Sequence, residues 1–114
     1  MSFRVAVASS DGKFVNQHFG MASQFLIFEV DDQREYKFLE LRENTPACSV
    51  EGHSDDSLAR SVELISDCKA VLVSHVGPGA VDVLASQGIE TYIAPIFIDE
   101  ALKELILLKE GSDN

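Results

Sequence analysis

One histidine of this sequence lies where a binding group is typically found, in the stretch Asp11–Gly20, DGKFVNQHFG. The stretch follows the apolar run Phe3–Ser9, which is typical of a buried β-strand, and it opens with an Asp-Gly turn signal. Loops at the ends of core strands often carry binding groups. Neutral imidazole binds iron, zinc or copper through one ring nitrogen, so His18 is a candidate metal ligand, although lone histidines are often structural. We include its two neighbours, Phe19 and Gly20, in the predicted site. Gly20 would let a ligand approach the backbone closely.

A second group of candidates lies in a polar segment of about a dozen residues, Asn44–Asp56, which we predict to be a loop. It contains Cys48 and His53, five residues apart, without the paired Cys-x-x-Cys that is typical of a zinc site. Cys48 is either a soft metal ligand or a tolerated surface thiol, and His53 is either a ligand or a solvated side chain. Cys68 precedes an apolar strand, which favours a buried, structural thiol.

His75 follows another apolar run and precedes a Gly-Pro-Gly turn, Gly77 to Gly79. Ligands of open α/β sheets bind outside the carboxyl ends of parallel strands, so His75 is a candidate cofactor-binding residue. The turn precedes a predicted helix, whose first backbone N–H groups suit an anion. The turn lacks the remaining residues of a nucleotide-phosphate loop, and a plain turn that requires positive φ is the stronger interpretation.

Charge and composition limit the possible function. The chain has 114 residues, 46% of them hydrophobic, and a net charge of −10, so we expect one folded domain without a basic face for nucleic acid or anionic membranes. The N-terminus does not resemble a signal peptide and no apolar run is long enough to span a bilayer. Two cysteines without an export signal predict a reduced, cytoplasmic protein.

The elements that position these residues follow from hydrophobic patterning. We predict the order βββ-α-β-α-β-α, an antiparallel meander followed by parallel strands, as one α/β domain over residues 1–114 with a frayed tail from about 110. Strand two is apolar on both faces and should lie inside the sheet, whereas strand three alternates and should lie near an edge. The predicted elements are strands Phe3–Ser9, Gln24–Val30, Tyr36–Glu43, Ala70–Val73 and Glu90–Ala94, and helices Ser57–Ser66, Ala80–Gln87 and Glu100–Lys109.

Helix ends and faces can also be predicted. Asp99 should cap the last helix, and Gly88 should end the helix before it. Spacings of three and four residues assign the buried positions of the three helices. These positions are Leu58, Val62 and Ile65 in the first helix, Val81, Leu84 and Ala85 in the second, and Leu102, Leu105, Ile106 and Leu108 in the third.

The same residues resemble a known family, the small domain of dinitrogenase iron–molybdenum cofactor biosynthesis. This domain is found as NifX, at the C-terminus of NifB and in the nitrogenase accessory factor. The matching positions are Val5–Ala8, Asp11-Gly12, Val15, His18-Phe19-Gly20, Ala22 and Phe25, followed by Cys68, Ala70–Val73, Gly77–Ala80, Leu84 and Gly88-Ile89.

The resemblance implies a ribonuclease H-like fold and a function in nitrogen fixation. Members of the family bind iron–sulfur or iron–molybdenum clusters in transit and hand them on, which implies a non-enzymatic carrier with donor and acceptor proteins as partners. His18 corresponds to the histidine that the family uses in cluster binding, whereas Cys48, His53 and His75 have no firm counterpart. We expect a monomer or weak homodimer that binds its cluster transiently.

Two other functions are compatible with parts of the sequence. One is a regulatory or interaction domain of the same fold that binds a protein partner or a small anion without a cluster. The other is a ribonuclease H-like nuclease, but the acidic charge and the lack of convergent carboxylates argue against it. The sequence also contains no Gly-x-Ser-x-Gly motif and no cysteine with an obvious base partner.

Overall fold

Five strands and three helices follow one another in the predicted order βββ-α-β-α-β-α. The architecture comes from a computed structural model, which describes residues 2–44 and 55–112. A short 3-10 turn, Phe19–Met21, lies between the first two strands. The elements are β1 (Phe3–Ala8), β2 (Gln24–Val30), β3 (Tyr36–Glu43), α1 (Asp55–Leu64), β4 (Ala70–Val73), α2 (Pro78–Ser86), β5 (Glu90–Ile93) and α3 (Ile98–Ser112). The α/β class and the mixed five-stranded sheet are confirmed.

All three helices begin two residues before the predicted start. In α2 the first turn contains Pro78, whose fixed φ suits the beginning of a helix. Gly88, with φ of 78°, follows the last turn of α2 and ends it as predicted. Helix α3 continues to Ser112, into the segment expected to be a tail, and residues 113–114 lie outside the described residues.

Asp99 does not cap α3, because the helix already begins at Ile98. Its carboxylate lies in the first turn, where negative charge is favourable near the helix N-terminus. Oδ1 of Asp99 also accepts a 3.0 Å hydrogen bond from the Tyr36 hydroxyl, which ties the start of α3 to β3.

The strands form one sheet in the order β3-β2-β1-β4-β5. Strands β1, β2 and β3 pair antiparallel, which confirms the meander, while β4 pairs parallel with both β1 and β5. The apolar β2 lies inside the sheet and the alternating β3 lies at its edge, as predicted. A register shift opposite Ile27 and Phe28 interrupts the β2–β3 pairing.

The sheet is the middle of three layers. Alternate residues of β1 point to opposite faces, so Ala6 and Ala8 pack against α1 and α2 whereas Val5 and Val7 pack against α3. Because both faces of the central strands are buried, the sequences of these strands are continuous apolar runs. Within the described residues, no helix combines the length and apolar composition that crossing a bilayer requires.

The buried faces of two helices differ from the prediction. In α2, Leu84 is buried as expected, but Val81 and Ala85 are exposed and Ala80 faces the core instead. In α3, Leu108 is 57% exposed, while Ala101, which was not predicted, is buried. Ala80 and Leu84 are four residues apart on one helix face, so the side of α2 that meets the sheet is rotated from the predicted one.

An ionic network joins β3, β1 and the turn after α1. Arg42 donates hydrogen bonds of 2.7 Å and 2.9 Å to the two carboxylate oxygens of Asp67, and a 2.9 Å bond to the backbone oxygen of Leu64. Arg4 donates a 2.6 Å hydrogen bond to the same carboxylate. Donation from Arg42 is the main cause that holds the pKa of Asp67 well below its ordinary value.

We expect the Asp67→Asn variant to be less stable than the native protein at neutral pH. A carboxylate whose folded-state pKa is lowered contributes stability above its unfolded-state pKa, and this stability is lost as the pH falls through the folded-state value. Because the Asp67 side chain is 40% exposed and screened by solvent, we expect a loss of roughly 1 kcal/mol at pH 7.

Urea unfolding between about pH 7 and pH 2 measures this difference, which should shrink below about pH 4, where the carboxylate of the unfolded chain takes up a proton that the folded state does not bind. Asp82→Asn, at an exposed carboxylate of α2, is the control. An equal loss in both variants, or a difference that does not change with pH, would contradict the role of the network.

Candidate functional site

The loop that carries His18 is held by its own polar side chains. Oδ1 of Asp11 accepts hydrogen bonds from the backbone N–H groups of Lys13 at 2.9 Å and Phe14 at 3.1 Å. The same two backbone bonds are the main cause of the lowered pKa of Asp11. Gly12 has φ of 75°, which confirms the turn predicted at this position.

Backbone pairing places His18 beside His75, although β1 and β4 have already ended. The N–H of Ser74 donates to the carbonyl of Gln17 at 3.0 Å, and the N–H of Phe19 donates to the carbonyl of His75 at 3.0 Å. His18 and His75 therefore form an isolated parallel β-bridge. The bridge is separate from the β1–β4 ladder, because the segment that follows the loop after β1 pairs with the residues just after β4, in a different register. It lies beyond the carboxyl end of β4, where we expected binding groups.

The two imidazole rings stack on each other at the surface. Their centroids are 4.4 Å apart and their planes differ by 28°. Both residues are exposed, so the rings are accessible from solvent. Nδ1 of His75 lies 3.3 Å from Oγ of Ser74, a buried side chain that helps to fix the ring. The site thus presents two neighbouring nitrogen donors on a rigid backbone.

Gln17 and Ser74 position this pair and were not predicted from the sequence. The side chain of Gln17 bonds to Ser23, with its Nε2 3.4 Å from the Ser23 hydroxyl and its Oε1 accepting from the Ser23 N–H at 3.3 Å. The only signal in the sequence is that each residue directly precedes a histidine. Their contribution depends on the pairing of two distant segments, which local patterns do not reveal.

Phe19 belongs to the core, and its side chain is therefore not available to a ligand. It is fully buried and packs against Phe25 with ring centroids 5.7 Å apart. Its backbone N–H is bonded to His75. Gly20 lies in the short 3-10 turn and is partly exposed. Phe19 thus anchors the loop that holds His18 and does not offer its side chain to a ligand.

Gly77 and Gly79 are exposed beside His75, at the start of α2. Neither has positive φ, so the prediction that this turn requires glycine for its backbone conformation is wrong. A Cβ atom added at either position would have no neighbouring atom within 4 Å. The backbone next to His75 therefore borders open space, at the end of the helix where N–H groups face outward.

The other predicted ligands have different outcomes. Cys48 and His53 lie outside the described residues, so their assignment as ligands stays a prediction. Cys68 is a buried, free cysteine, and burial raises the pKa of its thiol to about 12, as expected for a structural residue. Within residues 2–44 and 55–112, no three His, Cys, Asp or Glu side chains form a group that could hold a metal ion.

Comparison with known families gives a match over almost the whole chain. The family described as "Dinitrogenase iron-molybdenum cofactor" matches residues 1–108. Among curated relatives, the FeMo cofactor biosynthesis protein NifB of Frankia alni is 36% identical over 104 residues, which cover 89% of this chain and 20% of that protein. Protein NifX of Azotobacter vinelandii is 32% identical over 105 residues, 88% of this chain and 59% of NifX.

The chain thus spans about a fifth of the length of the NifB relative and somewhat more than half of NifX. Among solved structures, the apo form of the orange protein from Desulfovibrio gigas superposes with a TM-score of 0.64. The alignment covers 90% of this chain and 86% of that one, at 18% identity. At this level of identity, the likeness concerns the fold alone.

Proposed function

The chain belongs to the dinitrogenase iron-molybdenum cofactor family, and we propose that it is a non-enzymatic carrier of an iron–sulfur or iron–molybdenum cluster during metallocluster biosynthesis. The observation that supports this proposal is the exposed pair of stacked imidazoles, His18 and His75. The names of its relatives point in the same direction, since NifB is named for FeMo cofactor biosynthesis.

The donor chemistry of the pair suits a transient cargo. Imidazole nitrogen is a good ligand for iron, and a metal–sulfur cluster brings its own sulfur atoms to complete the coordination of each metal. A carrier must release its cargo, so a small number of protein ligands is an advantage. Two exposed imidazoles held by backbone pairing meet that requirement.

A chain with net charge −10 repels an anionic cluster, and backbone N–H groups near the site would offset part of this repulsion. The first turn of α2 follows His75 closely; Pro78 has no N–H, so the backbone N–H groups without an intrahelical partner in this turn are those of Gly79 and Ala80. We assign Gly77 and Gly79 to the binding surface because the space beside them is open. Cys48 and His53 are proposed as further ligands from the segment between β3 and α1.

The remaining expectations belong to the same proposal. The partners would be the proteins that donate and receive the cluster, and the site of action would be the cytoplasm. Residues 1–114 would act as one cofactor-binding domain, as a monomer or weak homodimer. We also propose the ribonuclease H-like type for the fold, which the strand order β3-β2-β1-β4-β5 with an antiparallel β2 supports.

The open space at Gly79 gives a test that separates binding from folding. Gly79→Ala should leave the protein as stable or up to about 1 kcal/mol more stable, since alanine is the better helix former and no atom obstructs its methyl group. If the cluster approaches this backbone closely, the same methyl group should weaken cluster binding. Thermal unfolding and cluster titration of the variant measure the two effects. Unchanged cluster binding would place the cargo away from Gly79.

The function itself is tested by anaerobic titration of the apo-protein with isolated iron–molybdenum cofactor and, separately, with its iron–sulfur precursor. Co-elution of iron with the protein on gel filtration and a changed cluster spectrum would support the carrier function. The cluster that binds more tightly would be assigned as the cargo. Failure of a correctly folded protein to bind either cluster would reject the proposal and favour the interaction-domain alternative.

A further inference from the structure

A groove of about 620 Å³ opens on the α3 side of the sheet, and neither histidine of the candidate site lines it. Its apolar lining comes from β2, β3 and the start of α3, and includes Leu26, Phe28, Phe38 and Phe97. Its volume is in the range of sites that bind ligands or anchor residues, roughly 300–1,000 Å³. The carrier function proposed above makes no use of this surface.

Two aromatic rings of the groove are more than half exposed. The exposed fraction is 52% for Phe38 and 55% for Phe97. Each has an edge-on aromatic neighbour, because Phe38 packs on Phe28 at a centroid distance of 5.6 Å and Phe97 on Phe14 at 5.1 Å. Exposed phenyl rings that line a common groove on a strongly acidic chain indicate an interaction surface.

Among the described residues, the layer that contains α3 has fewer helices than the layer on the other face of the sheet. Two helices, α1 and α2, pack on one face, whereas in the described residues α3 alone packs on the other. Among the described residues, no helix covers the area over β2 and β3, where Leu41 pairs with Leu26 and is 46% exposed. This area, beside α3 and over the edge of the sheet, is where a second helix of the same layer would lie.

The charges around the groove define the partner. Asp99 and Glu100 are exposed in the first turn of α3, and Lys13 is the one basic residue among the described residues of the lining, on a chain of net charge −10. We propose that the groove docks an amphipathic helix of another protein. The apolar stripe of that helix covers Phe38 and Phe97, and its flanking lysine or arginine residues face Asp99 and Glu100.

The test uses a fluorescently labelled synthetic helix with a Leu/Phe stripe and flanking lysines, titrated with the 114-residue protein. Two further peptides are compared: a scrambled sequence of the same composition without the stripe, and a version with glutamate in place of lysine. We expect saturable binding of the first peptide alone. Phe97→Ser and Phe38→Thr should each weaken it at least about tenfold, as loss of an aromatic anchor does at interfaces.

Leu107→Ser is the matched control, because Leu107 is 66% exposed on α3 but does not line the groove. His18→Ala should bind the peptide normally, so failure of this proposal is distinguishable from failure of the carrier function. Amide chemical-shift changes in the native protein should map to residues 12–13, 38 and 97–100. Equal binding of the scrambled peptide, or no effect of either phenylalanine substitution, would overturn the proposal. Dimerisation of the protein that Phe97→Ser abolishes would also overturn it, since the occupant would then be a second copy.

Discussion

Replacing both His18 and His75 by alanine should abolish specific cluster binding, and each single replacement should already remove most of it. The two rings are stacked at 4.4 Å and the backbone N–H of Phe19 is bonded to the carbonyl of His75, so the histidines form one unit. Residues that act as a unit have non-additive effects, with coupling energies of about 0.5–3 kcal/mol. We therefore expect the double variant to bind scarcely more weakly than either single variant.

Anaerobic titration of the four proteins in this double-mutant cycle measures the coupling. His75→Phe is the matched control, because phenylalanine keeps a ring that can stack on His18 but has no nitrogen donor. Loss of binding in His75→Phe as well as in His75→Ala would assign ligation to the nitrogen of His75. Normal binding by His75→Phe would show that the ring of His75 only supports His18. Normal binding by the double variant would remove the histidine pair from the proposed site.

Phe19→Ala should produce a large loss of stability, about 3–5 kcal/mol. The side chain of Phe19 is fully buried and packs on Phe25, in the core between the sheet and helices α1 and α2. Removal of the ring leaves a cavity that a close-packed interior fills only in part. Because Phe19 adjoins His18, the variant should also loosen the loop that holds the imidazole pair.

Urea unfolding with extrapolation to water measures the free energy lost. Met21→Ala is the control from the same 3-10 turn, since Met21 is 58% exposed and its truncation should change stability by no more than about 0.5 kcal/mol. A loss below about 1 kcal/mol in Phe19→Ala would mean that the ring is not part of the core. The side chain of Phe19 would then again be a candidate for contact with the cargo.

The effects of these variants differ because exposed and buried residues of the same short motif have different roles. The sequence His18-Phe19-Gly20 carries much of the family resemblance, yet only His18 presents its side chain to solvent as a donor. The buried side chain of Phe19 anchors the backbone of this loop in the core, and Gly20 forms part of the 3-10 turn. Within this motif, therefore, the side chain of His18 is available for binding, whereas Phe19 and Gly20 support the loop.

The sequence by itself determined the order of the elements, the inner position of β2, the edge position of β3 and the place of His18 in a loop after a core strand. Each of these follows from local information: apolar runs of strand length, alternation along one strand, or a histidine in a loop after a core strand. The buried state of Cys68 was also predictable from its place before an apolar strand. Family membership depends on such local motifs too, and the match over residues 1–108 confirms it.

Only the tertiary structure decided which residues meet. His18 and His75 are brought together by an isolated parallel bridge between the loop after β1 and the residues after β4, and the register between two distant segments leaves no periodic signal in either of them. The faces of α2 and α3 were decided by how each helix lies on the sheet, which helical spacing alone leaves open. The aromatic groove has the same origin, since Phe38 and Phe97 line one groove only because the start of α3 is packed beside an edge strand.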